Sequence, residues 1–189
     1  MVQLPVRRLT LTEFLSLPET ETALELIDGV AVPKMPPKRF HSGVQKALIY
    51  LLDPVFKVQG HFYQEWAVQL TRNDQDWMPV PDLTYVSFER LPADWLEDAP
   101  CPVPADLAIE IVSPDQAFGE MAAKAADYIK AGVRLVWVVD PKARTITVFT
   151  ANCLPVTYQG DQVPNVEGLP QLKFSVDDVF IEAGLPIQE

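Results

Sequence analysis

Apolar positions crowd most densely into the middle of the chain, from Asp106 to Asp140. Residues 106–112 form a short apolar run interrupted by one acid, Glu110. The run is long enough for a buried strand and too short for a helix. The next pattern has a helical period, with Phe118, Met121, Ala122, Ala125 and Ile129 falling on one face. Ser113 or Asp115 is positioned to cap that helix, and Pro114 suits its first turn. Gly132 is a good C-terminal stop. Residues 135–139 predict a second buried strand, ended by Asp140-Pro141.

The flanking sequence predicts smaller elements. Thr10 and Glu13 have the spacing of a capping box and open a short helix that ends near Pro18. Residues 23–32 read as two short strands joined at Asp28-Gly29, a strong hairpin signal. Pro33, Pro36 and Pro37 make residues 34–39 a loop. From His41 to Leu52 the pattern is helical, with Pro54 as its stop. Phe62, Trp66, Val68 and Leu70 suggest one strand, and residues 73–76 a turn. Residues 80–86 predict a strand that begins at a proline, with Asp82 near its start. Residues 88–104 hold four prolines and read as a loop packed through Trp95. Residues 135–150 form a hairpin through Lys142-Ala143-Arg144. The tail offers a short strand or two and a terminal turn around residues 176–180.

Composition narrows the class without naming a chemistry. A chain of 189 residues, 48% hydrophobic and 22% charged, is the size and make-up of one ordinary globular domain spanning residues 1–189. No apolar run approaches a bilayer span and the N-terminus lacks a signal-peptide core, so a cytoplasmic protein with no membrane partner is expected. Cys101 and Cys153 have neither metal-ligand nor disulfide spacing, and two histidines are too few for a histidine-rich centre. Any metal would be a hard cation bound through oxygen.

The net charge of −11 argues against avid non-specific nucleic-acid binding. The charge is uneven, however. Residues 1–60 carry seven Lys/Arg and six Asp/Glu, whereas residues 61–189 carry eight and twenty. Lys34, Lys38, Arg39 and Lys46 lie in a stretch with no acid. Such a strip can hold a phosphate backbone, or be a solvated basic loop.

Glu110 and Lys124 are the chemically informative residues. A carboxylate on a central strand is costly to bury without a cation. Lys124 lies at the edge of the helix's apolar stripe, one turn before Tyr128, so its amine can reach over the sheet. That pairing is open to two readings, a structural ion pair or a metal site with a lysine beside it.

Asp82 follows a proline, Glu110 comes 28 residues later, and Lys124 comes 14 after that. This order is similar to the PD-(D/E)xK nuclease core in the variant whose lysine has migrated from the strand to the following helix, since position 112 is Val112. The wider match includes Thr12-Glu13-Phe14-Leu15, Glu25-Leu26-Ile27-Asp28-Gly29, His41, Glu110-Ile111-Val112-Ser113-Pro114, Tyr128, Gly132-Val133, Trp137 and Asp140-Pro141. On these residues the chain resembles the Uma-type family of bacterial restriction endonucleases, over about residues 10–180.

The resemblance implies an α/β fold, a mixed sheet flanked by helices, with a carboxylate pocket at one end. It makes Glu25, Asp82 and Glu110 the acids and Lys124 the base or electrostatic partner, the carboxylates around it favouring the electrostatic role. Asp82, Glu110 and the Ile111 carbonyl would bind Mg²⁺ or Mn²⁺, and Lys38, Arg39, His41 and Lys46 would face DNA. Cleavage of both strands by one small site implies a homodimer or higher homo-oligomer. The expected activity is metal-dependent hydrolysis of DNA phosphodiester bonds. A catalytically silent binding or regulatory module on the same fold is the alternative, and a phosphohydrolase of small substrates a third reading.

Overall fold

The computed structural model describes residues 8–18, 22–164, 167 and 169–185. The elements in chain order are α1 (Leu11–Leu15), β1 (Leu24–Ile27), β2 (Val30–Pro33), α2 (Arg39–Phe56), β3 (Gly60–Gln64), β4 (Leu70–Arg72) and β5 (Gln75–Trp77). They continue with β6 (Leu83–Ser87), β7 (Leu107–Ile111), α3 (Phe118–Lys130), β8 (Leu135–Asp140), β9 (Thr145–Thr150), β10 (Val156–Gln159) and α4 (Val176–Glu182). Six strands form one sheet in the order β10-β9-β8-β7-β6-β3. Every neighbouring pair is antiparallel except β7–β8, which are parallel and joined through α3. A parallel pair needs a crossover of this kind, and the apolar stripe of α3 lets the connection pack back on the sheet. The expected mixed sheet flanked by helices is therefore the fold.

The strand period of two sorts β7 between two cores. Leu107, Ile109 and Ile111 join Val44, Leu48 and Phe56 of α2 and Val179 and Phe180 of α4. Ala108 and Val112 join Met121, Ala125 and Tyr128 of α3, with Trp77 and Cys101 behind them. Glu110 lies between Ala108 and Val112 and so faces α3. Burying the leucine and isoleucine side chains of the first core, at about 1.5–3 kcal/mol each, is a large part of what holds the sheet to α2 and α4.

The β1–β2 ribbon stands apart from the main sheet. Its turn residues Asp28 and Gly29 have φ of 51° and 75°, as the Asp-Gly signal requires. It is attached by a two-way backbone bridge, Leu26 N–H to Met78 O at 3.1 Å and Met78 N–H to Leu26 O at 3.0 Å. Phe14, Leu26 and Met78 close a small third core beneath it. Thr10 caps α1 through the expected capping box with Glu13.

Several boundaries differ from the sequence reading. Pro54 does not stop α2, which runs on to Phe56. The N–H that proline lacks would have served the Tyr50 carbonyl, and Tyr50 is on the solvent side at 66% exposure, where water can substitute. The strand expected over Phe62–Leu70 breaks at Glu65, whose φ is 49°, and yields β3 and β4. The turn near Asn73 is narrower than expected, with Gln75 and Asp76 already paired in the β4–β5 hairpin.

Ser113 and Asp115 do not cap α3. Residues 113–116 close a separate turn, in which Gln116 N–H donates to Ser113 O at 2.9 Å. The helix starts after Ala117, whose N–H donates to Glu120 Oε2 at 3.4 Å. Phe118, in the first turn, is 39% exposed rather than part of the core. Gly132 does terminate the helix region, at φ 96°. The terminal turn proves to be the helix α4, capped by Ser175. Among the described residues, no helix is long and apolar enough to cross a membrane.

Candidate active site

The pairing of β6 with β7 brings the two expected acids side by side. Leu83 pairs with Ile109, so the next step of the register sets Asp82 opposite Glu110. Asp82 Oδ2 accepts the Ile111 N–H at 2.7 Å, which continues the ladder with a side chain where the strand has ended. In an extended strand the N–H and C=O of a residue point to the same side, so the Ile111 carbonyl lies on the Asp82 edge as well. Asp82 and Glu110 are 2% and 5% exposed.

Three elements deliver cations to these acids. Lys124 Nζ, from α3, stands 3.0 Å from Glu110 Oε1 and 3.0 Å from Glu25 Oε1. Those two oxygens therefore lie within twice that distance of each other. Glu25 is brought in by the β1–β2 ribbon and fixed by the Val80 N–H at 2.9 Å. Lys34, just beyond β2, donates to Asp82 Oδ1 at 2.7 Å. From α2, His41 Nε2 stands 3.0 Å from Asp82 Oδ2, and Gln45 donates to the Asp82 carbonyl at 3.0 Å. Tyr128 donates its hydroxyl to Glu110 Oε1 at 2.7 Å, one helical turn after Lys124.

The sequence-derived set divides here. Glu25, Asp82, Glu110 and Lys124 share one site, with Ile111 on its edge and His41 inside it. Lys38 and Arg39 do not touch the acids. Lys38 pairs with Asp115, and the Arg39 guanidinium lies 5.8 Å above the Phe40 ring. Lys46 is exposed on α2. Lys34, Gln45 and Tyr128 belong to the site and were not in that set. Lys34 was visible only as part of the basic strip, and no local signal separates it from Lys38.

The electrostatics separate the two strand acids. Burial works to raise the Asp82 carboxyl, but the His41 hydrogen bond and the charges of Lys34 and His41 outweigh it and hold it at about 2. Burial also raises Glu110, and the Asp82 and Glu25 charges add to that, outweighing the pull of Lys124. Glu110 thus titrates above the ordinary carboxylate range. For Lys124 burial alone would lower the amine, but Glu110 and Glu25 together raise it above the ordinary lysine value. Burial and the Glu110 charge push the Tyr128 phenol well up, so it serves as a donor. Cys101 is pushed up to about 11 by burial, which removes it as a nucleophile.

Oxygen donors of this kind suit a hard cation. Glu110 and Glu25 each use Oε1 for Lys124, and neither Oε2 has a hydrogen-bond partner among the described residues. Both Asp82 oxygens are engaged, so Asp82 would have to exchange Lys34 for a metal. As the side chains stand, no three histidine, cysteine or acidic residues among those described form a metal-binding group. Mg²⁺ is commonly held by one or two carboxylates with waters and substrate oxygens, so such a group is not required.

A six-stranded mixed sheet with one crossover helix, carrying acids on adjacent strands and a lysine on that helix, is a restriction-endonuclease-like α/β fold. The chain belongs to the Uma2 family, described as "Putative restriction endonuclease", whose model matches residues 11–177. It is similar to a solved structure described as a putative nuclease belonging to DUF820 from Anabaena variabilis. The two share 28% identity with a TM-score of 0.76, over 93% of this chain and 99% of that one. Among curated proteins, none matches the chain.

Proposed function

We propose that the protein is a metal-dependent DNA endonuclease that hydrolyses phosphodiester bonds at the Glu25–Asp82–Glu110–Lys124 site. The observation that carries this reading is the facing pair Asp82 and Glu110, with Lys124 bonded 3.0 Å from Glu110. Paired acids can hold a divalent cation, and that cation together with Lys124 would suit a reaction in which negative charge grows on phosphate oxygens. The description of the family as a restriction endonuclease and of the similar solved structure as a nuclease supports this reading.

Mg²⁺ or Mn²⁺, when bound through Glu110, Glu25, Asp82 and the Ile111 carbonyl, would polarise the phosphate and lower the pKa of a bound water. The chain's own groups do the rest. Lys124 has a raised pKa and stays protonated at neutral pH, so it stabilises charge on the phosphate rather than removing a proton. Glu110, raised by burial and by the Asp82 and Glu25 charges, is the acid that a cation placed between them would relieve most. Tyr128 fixes the Glu110 rotamer, and His41 with Gln45 fixes Asp82.

Supercoiled plasmid and labelled duplex oligonucleotides, incubated with Mg²⁺ or Mn²⁺, test the reading. Cleavage by the wild type that falls by about 100-fold or more in Lys124→Ala is expected. Equal cleavage by both proteins, or none by either, removes it.

One observation favours the silent-module alternative. Each acid already has a partner within the protein, Asp82 with Lys34 and His41, and Glu110 and Glu25 sharing Lys124. A protein that binds DNA without cutting it under any metal would fit that arrangement.

A further inference from the structure

The six-stranded sheet ends at β3, which pairs only with β6. Glu65 N–H donates to Asp82 O at 3.2 Å and Phe88 N–H to Gln59 O at 2.9 Å, so the odd-numbered residues of this stretch turn their main-chain groups towards β6. An antiparallel ladder alternates, and Phe62 and Gln64 therefore turn theirs to the free edge. Neither finds a partner there among the described residues. An open edge of this kind is a template for one more strand.

A groove of about 730 Å³ runs along this edge and is lined by β3 from end to end. Phe62 packs into the core beneath α2, so His61 and Tyr63 lie on the opposite face of the strand. There they meet three further rings that line the groove. His61 lies 5.2 Å from Phe88 and Tyr63 5.4 Å from Trp66, both edge to face at 86°, and Trp66 lies 5.9 Å from Trp95. Tyr63 is 55% exposed in the middle of the strand. Ring faces attract a cation, and the described lysine– and arginine–ring contacts all lie elsewhere in the fold. The charge of the lining is one-sided. Asp53 is taken at 2.7 Å by Lys57, the sole lysine or arginine among the lining residues. Glu65, Glu97 and Asp98 line the groove as well and have no ion pair among the described residues.

Open main-chain groups select an extended chain, and rings beside unpaired carboxylates select a cation. We propose that the β3 edge and its groove dock an extended, arginine-bearing segment of another protein, which adds as a strand to β3 and sets its guanidinium against Tyr63 and Trp66. Arginine suits the groove better than lysine, because a guanidinium is planar and stacks on ring faces. The acids repel a phosphate backbone, so this is not a face for nucleic acid. A second copy of this chain, paired edge to edge about a two-fold axis, would bring the same carboxylates together. Nothing in this docking requires catalysis at Asp82 and Glu110.

Fluorescence anisotropy of a labelled peptide, threonine-valine-arginine-valine-threonine with blocked ends, tests this on the full chain at low salt. The peptide should bind more tightly than a version with glutamate in place of arginine, and more tightly than one whose backbone amides are methylated. Tyr63→Ala should weaken it by roughly two- to 30-fold, the range for losing one cation–ring contact. Glu97→Lys with Asp98→Lys, both exposed in a loop, should keep the wild-type melting temperature and abolish binding. No binding of the arginine peptide, or undiminished binding in the doubly reversed variant, overturns the proposal. Equal binding of the methylated peptide, or competition by free arginine amide at the peptide's own affinity, would make the groove a small-cation site and remove the added strand. Sedimentation showing a dimer that Tyr63→Ala dissolves would assign the edge to a second copy instead.

Discussion

Lys34 and Asp82 are joined by a 2.7 Å hydrogen bond across the mouth of the site, although they are far apart in the chain and lie in a loop and at a strand end. Asp82 is almost fully buried, whereas the Lys34 side chain keeps 17% exposure. The lysine is therefore the more easily displaced partner, and removing it exposes how much the carboxylate depends on it.

Lys34→Met should destabilise the fold by about 1–3 kcal/mol, because a buried carboxylate loses one charged donor but retains His41 and the Ile111 N–H. Urea unfolding at neutral pH, with both proteins showing one cooperative transition, measures it. A change below a few tenths of a kcal/mol would mean that water replaces Lys34 without cost.

The two strand acids should give the stability–pH profile opposite slopes. Glu110 has a raised folded pKa, so the native state binds the extra proton first, and acidification from neutral should increase stability down to the ordinary glutamate range. Asp82 is held at about 2, so its contribution is present above the unfolded aspartate value and is lost as pH falls towards 2. Melting temperatures from neutral pH down to about 2 should pass through a maximum on the acid side of neutrality. In Glu110→Gln the initial rise should disappear while the acid loss remains.

Glu110→Gln should keep or raise the metal-free melting temperature. It removes a buried charge, keeps an acceptor for Tyr128, and leaves Lys124 with Glu25. Mn²⁺ at about 100 times its dissociation constant should stabilise the wild type by about 2.7 kcal/mol and the variant by much less. A variant that melts lower in chelator, together with a wild type that ignores Mn²⁺, would make Glu110–Lys124 a structural ion pair only.

Reversing Lys38 and Arg39 to glutamate should weaken DNA binding and flatten its salt dependence, by a slope change of about 0.9 for each phosphate the variant no longer neutralises. Lys38 leaves its Asp115 partner in this variant, so thermal melts must accompany the binding curves. Equal affinity at every salt concentration would leave both residues as plain surface.

Sequence periodicity exposed the acids because each interrupts or flanks an apolar strand, where a charge needs a reason. Glu110 inside β7 and Asp82 ahead of β6 could be read in this way, and the stripe of α3 gave Lys124 its side. Lys34 could not be read, because a proline-rich loop has no period from which to infer a direction. Pro54 and Ser113 misled for a related reason. Whether a proline ends a helix depends on which carbonyl loses its partner, and Tyr50 happens to face water. Whether a serine caps depends on where the preceding turn closes, which Gln116 decides by bonding back to Ser113.

Placing the lysine inside α3 instead of on β7 changes which insertions and deletions the site survives. One residue added beside a strand-borne lysine turns it to the opposite face. One residue added between Phe118 and Lys124 rotates the amine by about 100° around the helix, away from Glu110 and Glu25. Three or four residues bring it back in phase, displaced by about 5 Å along the axis, within range of a long, flexible side chain. Length change in the turn at residues 113–117 lies outside the helix and leaves its phase alone. Drift in chain length should therefore accumulate in that turn, or arrive in whole helical turns, while the spacing along β7 stays fixed.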